Sequence, residues 1–346
     1  MAKALTVAVV GSTGAVGQEL LSILESRNFP ATQVKALASA RSAGKAIPFK
    51  GGNLIVEELT ETSFEGVDLA LFSAGGETSQ KYAPIAVASG CVVVDNSSAW
   101  RMDERCPLVV PEVNRHALKN HCGIIANPNC STIQMVVALA PLHKAAGIKR
   151  VVVSTYQAVS GTGNKAISEL ETQVRQMFNM EEPDVNVYPH RIAFNCLPHI
   201  DAFLENGYTK EEMKMVDETV KIMEDASIKV SPTAVRVPVF YGHAESLNIE
   251  FVKPLSAKEA RAVLSTAPGI QVYDNPEAKM YPMPIDAAGE DEVFVGRIRD
   301  DETIDNAINL WVVADNIRKG AALNTIQIAE CLVEDGLVRT TGPSLF

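Results

Sequence analysis

The chain predicts an α/β protein: an N-terminal Rossmann-type doubly wound domain followed by a C-terminal α+β catalytic and dimerisation domain with a large mixed sheet. Three observations predict it. At 346 residues the chain exceeds what one hydrophobic core usually spans, so two domains are expected. Residues 1–128 alternate short apolar β-type runs with helical periods, the pattern of a parallel sheet covered on both faces. Residues 129–318 change pattern, mixing longer strands with helices, and a last helical period from residue 319 toward residue 346 is expected to pack back onto the first domain.

The elements follow in order. Leu5 to Val10 is an apolar run, and Gly11-Ser12-Thr13-Gly14-Ala15-Val16-Gly17 leads into a helical period from Gln18 to Arg27. Strand, glycine turn and helix form the dinucleotide-binding context, in which the backbone approaches a pyrophosphate at the helix start. The spacing here is G-x-x-G-x-x-G rather than the commoner G-x-G-x-x-G, and a plain βα turn is the alternative. The second strand, Gln33 to Ala38, ends without the acid that usually holds the ribose 2′-hydroxyl of NAD. Ser39, Arg41 and Ser42 follow it instead. They point to the 2′-phosphate of NADP; a solvated loop is the bland reading. Leu69 to Phe72 and Cys91 to Asp95 are the next strands, with a helix from Thr78 to Ala88 between them. The polar loop Asn96 to Arg101 lies at a strand's C-terminal end, where open α/β sheets bind ligands. There Arg101 is a candidate anion clamp, or a surface arginine stacking on Trp100.

Ile124 to Ala126 reads as a strand and Thr132 to Ala146 as a mostly buried helix. Between them, Pro128 biases Asn127 away from helical angles and sets the turn. Cys130 falls where the helix begins, and the free N–H groups and positive dipole end there favour a thiolate. Asn129 and Ser131 add polar groups that suit an oxyanion or a phosphate. An ordinary buried cysteine is the alternative. The remaining strands are expected at Val151 to Ala158, Val235 to Phe240, Ala244 to Phe251, Val293 to Arg299 and Asn309 to Ala314. Helices are expected at Asn164 to Phe178, Lys210 to Met223, Ser256 to Ala267 and Lys319 to Leu332, with an irregular stretch from Met180 to Ile200. Gln157 ends a strand facing the turn Val159-Ser160-Gly161-Thr162-Gly163. Glu218 and Lys221 share a helix face, as site residues or as a solvated ion pair. His243 lies at a turn between two strands, seven residues after Arg236. One open face of the second sheet needs covering, and a second subunit in a homodimer is expected to cover it.

Composition narrows the function. The net charge of −11 and the lack of a basic run argue against nucleic acid. No apolar run approaches the roughly 18 residues of a membrane helix. The opening MAKALTVAVV is no signal peptide, since its short apolar run leads straight into the glycine turn. The six cysteines (Cys91, Cys106, Cys122, Cys130, Cys196 and Cys331) form no C-x-x-C pair. They are read as reduced thiols in a cytoplasm, and no metal is called for. A thiolate beside a histidine is the basic unit of covalent acyl transfer. Joined to an NADP site, it suits reduction of an activated acyl group through a thioester, with His243 as proton shuttle.

Taken together, Gly11 to Gly17, Ser39 to Gly44, Asn96 to Arg101, Asn127 to Thr132, Gln157 to Gly163, Glu218 to Lys221, Arg236 to His243 and Lys319 to Thr325 resemble the aspartate-semialdehyde dehydrogenases over essentially the full length. That resemblance implies reduction of β-aspartyl phosphate to aspartate-semialdehyde with NADP(H), feeding lysine, threonine and methionine synthesis. By the same resemblance Cys130 is the nucleophile, His243 the general acid/base and Gln157 the group that orients the substrate. Arg236 would bind the substrate carboxylate and Glu218 its amino group, while Arg101, Asn129 and Lys221 would hold the phosphate. Gly11, Ser12, Thr13, Gly14, Ala15, Val16, Ser39, Arg41, Ser42, Ser160 and Gly161 would carry the nucleotide, and Asn324 would approach the nicotinamide. Related acyl-phosphate reductases are the nearest rivals, and a carboxylate suited to a free ammonium argues against the one whose substrate is N-acetylated. A Cys–His hydrolase or acyltransferase without redox chemistry, and a catalytically silent binding protein, are the rivals from other classes.

Overall fold

The computed structural model describes residues 5–338. It divides into two compact units, one made of residues up to Asn129 and from Ala321 on, the other of Cys130–Gly320. The part of the expected closing helix beyond residue 338 lies outside the described residues.

The first unit contains β1 (Leu5–Val10), α1 (Ala15–Ser26), β2 (Ala31–Ala38), a hairpin of β3 (Ala46–Phe49) and β4 (Gly52–Ile55), and β5 (Glu57–Glu58). It continues with β6 (Leu69–Phe72), α2 (Gly76–Ala88), β7 (Val92–Asp95), α3 (Pro111–Asn114) and β8 (Ile124–Ala126). Six of these strands form a sheet in the order β5-β2-β1-β6-β7-β8, every neighbour parallel. This is the doubly wound order, with its switch point between β1 and β6. Alternate residues Val7, Val9, Leu69, Leu71, Val92 and Val94 form one core with α1 and the returning C-terminal helix. Burying each such side chain contributes on the order of 1.5–3 kcal/mol. Parallel strands buried on both faces read as continuous apolar runs, which is why β1, β6 and β7 are so legible. The β3–β4 hairpin and two-residue β5 carry no such run, and the sequence gives no sign of them.

The second unit begins with α4 (Cys130–Ala146), β9 (Ile148–Gln157), α5 (Asn164–Phe178), α6 (Lys210–Met223), β10 (Lys229–Arg236) and β11 (His243–Phe251). It ends with α7 (Ala257–Leu264), β12 (Ile270–Val272), α8 (Pro284–Ala287), β13 (Val293–Asp300) and β14 (Ala307–Ala314). Its sheet is mixed, in the order β10-β9-β11-β14-β13-β12. The chain then passes through a π-helical turn at Arg318–Ala322 into α9 (Leu323–Glu334) of the first unit. The expected strand Val235–Phe240 is displaced to Lys229–Arg236. The strand runs through Pro232 because β10 is an edge strand, where a missing N–H costs no ladder bond. The irregular stretch after α5 is tied to that helix by two side chains. Glu169 accepts from the Asn186 and Tyr188 N–H groups, and Gln173 accepts from Ile192 and Ala193. These bonds do the work of a ladder for backbone that has none. No helix among the described residues is long and apolar enough to cross a membrane.

Candidate active site

In the first unit the glycine turn is shaped by contact. The Gly11 and Ser12 N–H groups both donate to the Leu37 carbonyl, at 2.8 and 3.2 Å. A Cβ on Gly17 would lie 2.1 Å from the Gly11 oxygen. Only glycine lets the first turn of α1 press so closely on the loop. Gly14 caps α1 without a side-chain bond, so the positive helix end faces outward unscreened by a side-chain acceptor, a cradle that fits a pyrophosphate. Ser12 does not face that cradle. It is wholly buried and its hydroxyl donates to Leu37 O. Ser39 and Arg41 are exposed on the short turn after β2, as a 2′-phosphate contact requires. The register also sets Glu57 and Glu58 of β5 beside Leu37 and Ala38, so acids stand at this sheet edge although none ends β2 itself.

At the C-terminal ends of β7 and β8 the polar side chains form a braced loop. Arg101 is nearly buried, its Nε donating to Asn127 O at 3.0 Å and its Nη2 to Asn96 O at 2.9 Å. Trp100 turns away to bond Ser79. Asn127 donates to Asn96 Oδ1, which also accepts from Thr325. Asn324 is fully buried and its amide nitrogen donates to Val109 O and Asn127 Oδ1, at 3.0 and 2.7 Å. Asn324 thereby braces Asn127 from beneath. Asn129 is buried at the end of this loop.

In the second unit three predicted residues line up. Arg236 pairs with Gln157 across β10 and β9, and His243 pairs with Ala314 across β11 and β14. Because β11 pairs Ala244 with Tyr156, His243 falls in the same row as Arg236 and Gln157, on the face covered by α4. The Ala158 N–H donates to His243 Nδ1 at 3.0 Å, so the neutral ring keeps its proton on Nε2. That Nε2 is buried without a hydrogen-bond partner, as is Arg236 Nε. Arg236 Nη1 donates to Ala158 O at 2.7 Å. Burial first, and then the Arg236 charge, push His243 down to about 3. It is thus a neutral imidazole at physiological pH, not the near-neutral shuttle its intrinsic pKa suggests. A Cβ on Gly161 would meet Arg236 Nη1 at 3.0 Å and His243 Nε2 at 3.2 Å, so that glycine keeps the space before both donors open. Ser160 is buried and bonded to Asn316, which also accepts from Gly242 N–H. Through Asn316 its side chain helps to fix the turn before His243.

Cys130 is the first residue of α4 and is partly exposed. One helical turn on, Gln134 donates to His243 O at 3.4 Å, which sets the cysteine's turn against the histidine's strand. Gly320 closes on Cys130 from the other side: a Cβ there would lie 2.8 Å from Cys130 Cβ. Gly320 N–H reaches back five residues to Asp315 O at 3.0 Å, the bond that defines a π turn, a device frequent at functional sites.

The expected Glu218 is buried on α6, the helix that carries Lys221 one turn on. Gln157 Nε2 donates to Glu211 Oε1 at 3.1 Å, and Lys214 bonds Glu211 Oε2 at 3.0 Å. The same three-residue spacing thus occurs twice on α6, and the earlier copy bonds the row through Gln157. Glu218 lies two turns further along, about 10 Å on. Glu211, Lys214, Gln134, Asn316 and Gly320 are the residues that sequence reasoning missed.

Comparison with known proteins bears on this arrangement. Residues 6–121 match the family model "Semialdehyde dehydrogenase, NAD binding domain" and residues 139–319 match "Semialdehyde dehydrogenase, dimerisation domain". The chain is similar to the aspartate-semialdehyde dehydrogenase of Aquifex aeolicus, at 60% identity over 96% of this chain and 99% of the relative. It is also similar to that of Bacillus subtilis, at 53% over 98% and 100%. Among solved structures it resembles aspartate semialdehyde dehydrogenase II of Vibrio cholerae complexed with ASA, with a TM-score of 0.94 and 50% identity, covering 96% of this chain and 99% of that one. It resembles the Candida albicans enzyme with NADP at a TM-score of 0.76 and 26% identity, covering 97% and 100%.

Proposed function

The chain belongs to the aspartate-semialdehyde dehydrogenase family, and on that premise we propose that it reduces β-aspartyl phosphate to L-aspartate-4-semialdehyde with NADPH, through a thioester on Cys130. The observation that carries this reading is the row on the second sheet: a neutral His243 and Arg236, each with a buried donor awaiting a partner, with His243 O bonded by Gln134, one helical turn after the cysteine. Buried donors without partners cost about 1–3 kcal/mol each, and a substrate carboxylate and oxyanion supply what they lack.

In this reading the thiolate at the start of α4 adds to the acyl carbon, the bond to the phosphate oxygen breaks, and phosphate leaves. NADPH supplies the hydride that reduces the thioester. The C–S bond then breaks, freeing the aldehyde and returning the thiolate. His243 faces the reacting oxygen with its Nε2–H and stabilises the oxyanion as a neutral donor, since the Ala158 N–H occupies its other nitrogen. Gln157 orients the substrate, Arg236 takes its carboxylate with two parallel bonds, and Arg101 and Asn129 take the phosphate. Glu218 pairs with the substrate ammonium and Lys221 with the phosphate in this reading, while Glu211, already bonded to Gln157 and Lys214, orients Gln157. Glu218→Gln is expected to raise the KM for the semialdehyde about tenfold or more, and Glu211→Gln to change it less than about threefold. The opposite ranking in steady-state kinetics moves the ammonium contact to Glu211.

The glycine turn and the helix start of α1 hold the pyrophosphate in this reading, and Ser39, Arg41 and Ser42 the 2′-phosphate. Arg41→Ala is then expected to weaken NADPH binding about tenfold or more and NADH little, since one charge-assisted contact is lost. Equal weakening of both by titration places the selectivity elsewhere, with Glu57 and Glu58 as the next residues to examine. Free thiols suit the reducing cytoplasm, and all six cysteines are free. A second copy on the open sheet face, where Tyr156, Tyr281, Met283 and Ile285 are exposed, makes the homodimer. Sedimentation as a single chain overturns it. The deciding assay is NADP reduction with aspartate-semialdehyde and phosphate, run beside the N-acetylglutamate analogue. Turnover of the analogue alone sinks the proposal.

A further inference from the structure

We propose that Glu245 is a positioning residue: a neutral carboxylic acid that donates to Gln134 and so holds the first turn of α4, with Cys130, against the strand that carries His243. The inference rests on the reading of Cys130 and His243 as the reacting pair and adds the layer beneath it. Directly inside the row of Arg236, Gln157, His243 and Ala314 runs a second row of Ala234, Thr155, Glu245 and Val312. Residues two apart on a strand share a face, so Glu245 lies on the side of His243, under α4. It is wholly buried, and neither of its oxygens has a hydrogen-bond partner. Gln134 is the polar side chain beside it, an influence that favours the ionised acid but is outweighed by burial, and Gln134 Oε1 is without a hydrogen-bond partner.

Gln134 Nε2 donates to His243 O and neither Glu245 oxygen accepts from it. The atom Gln134 has left for Glu245 is therefore the acceptor Oε1, and two acceptors in a dry interior repel unless a proton lies between them. A proton on Glu245 converts the pair into an O–H···O=C bond and satisfies both at once. Gln134 is then fixed at both ends, accepting from Glu245 and donating to His243 O. The surroundings favour the neutral form. Ala234 and Val312 are apolar, and the Thr155 hydroxyl is committed to Gln157. The ionisable groups that α6 buries at this end of the sheet, Glu211 and Glu212, are themselves acids. Burial pushes Glu245 well above the ordinary carboxylate range. A neutral acid here also spares the thiolate one turn away from a second negative charge, the logic of a carboxylic acid kept protonated so that it can donate.

Glu245→Gln and Glu245→Leu test this together. Glutamine keeps a neutral donor of the same shape, so kcat is expected to stay within about twofold and the melting temperature not to fall. Leucine removes the donor, and kcat is expected to drop about tenfold or more while the nucleotide KM is unchanged. A purely structural role gives no such split. The infrared difference between the wild-type protein and Glu245→Gln reads the proton directly, independent of turnover and of whether the leucine variant folds. Loss of a protonated-carboxyl C=O band at neutral pH supports the proposal. Loss of a carboxylate band, or a glutamine variant as impaired as the leucine one, overturns it. A wild-type protein inactive in the semialdehyde assay but showing the protonated band counts against the enzymatic reading, not against the state of Glu245.

Discussion

Cys130→Ala is expected to lower turnover at least about 10³-fold while NADPH still binds, because a covalent step has no substitute once its nucleophile is gone. The sulfur is the first side chain of α4, so it lies at the positive end of the helix dipole. Its place is also held from outside the helix, since Gly320 leaves no room for even a methyl group against Cys130 Cβ. Alanine at position 130 keeps that packing and deletes only the sulfur, so the loss is expected in the chemistry and not in the fold. Pre-steady-state mixing with the acyl phosphate checks it: the burst of released phosphate that marks thioester formation should vanish. Turnover within tenfold of the wild-type protein, with nucleotide bound, removes Cys130 from the mechanism.

Arg236→Lys is expected to cut kcat/KM for the semialdehyde about 10²-fold although the charge is kept. The guanidinium works at two places at once. Nη1 holds Ala158 O at 2.7 Å, and Nε is buried with nothing to bond. The Ala158 N–H in turn sets the His243 tautomer, so one residue, through its N–H and its carbonyl, links the proposed carboxylate clamp to the proposed oxyanion donor. An ammonium offers one compact point of charge and cannot fill both positions. Because a cation remains near the imidazole, His243 stays neutral and the comparison isolates geometry from charge. Arg236→Leu removes both, leaves Ala158 O unpaired, and is expected to lower the melting temperature as well, by about 1–3 kcal/mol of stability. Kinetics of the lysine variant indistinguishable from wild type place Arg236 outside the substrate site.

Much of the fold was legible because its strands are buried on both faces. β1, β6 and β8 begin and end at the residues their apolar runs mark, and α5 and α6 do so because amphipathic periods with clear turns bound them. Where an element lacks its own pattern, the sequence is silent: β5 has two exposed residues, and β10 runs through a proline at an edge. Cys130, His243 and Arg236 were singled out from chemistry and spacing. That Glu211 rather than Glu218 bonds Gln157 was not legible, because both lie on one helix at one spacing and helical periodicity cannot say which turn meets Gln157.

By itself the sequence determined the family, the two-part organisation and the chemical type of the site, since these follow from residue identity and local periodicity. The tertiary structure alone decided that His243 is neutral with its proton on Nε2, that Ser12, Ser160 and Asn324 are buried in hydrogen bonds with their neighbours, and that Glu245 lies buried in the next row from His243. The reason is physical: protonation and hydrogen-bond pairing depend on which groups from distant strands and helices exclude water from one another, and no local stretch of chain contains that information.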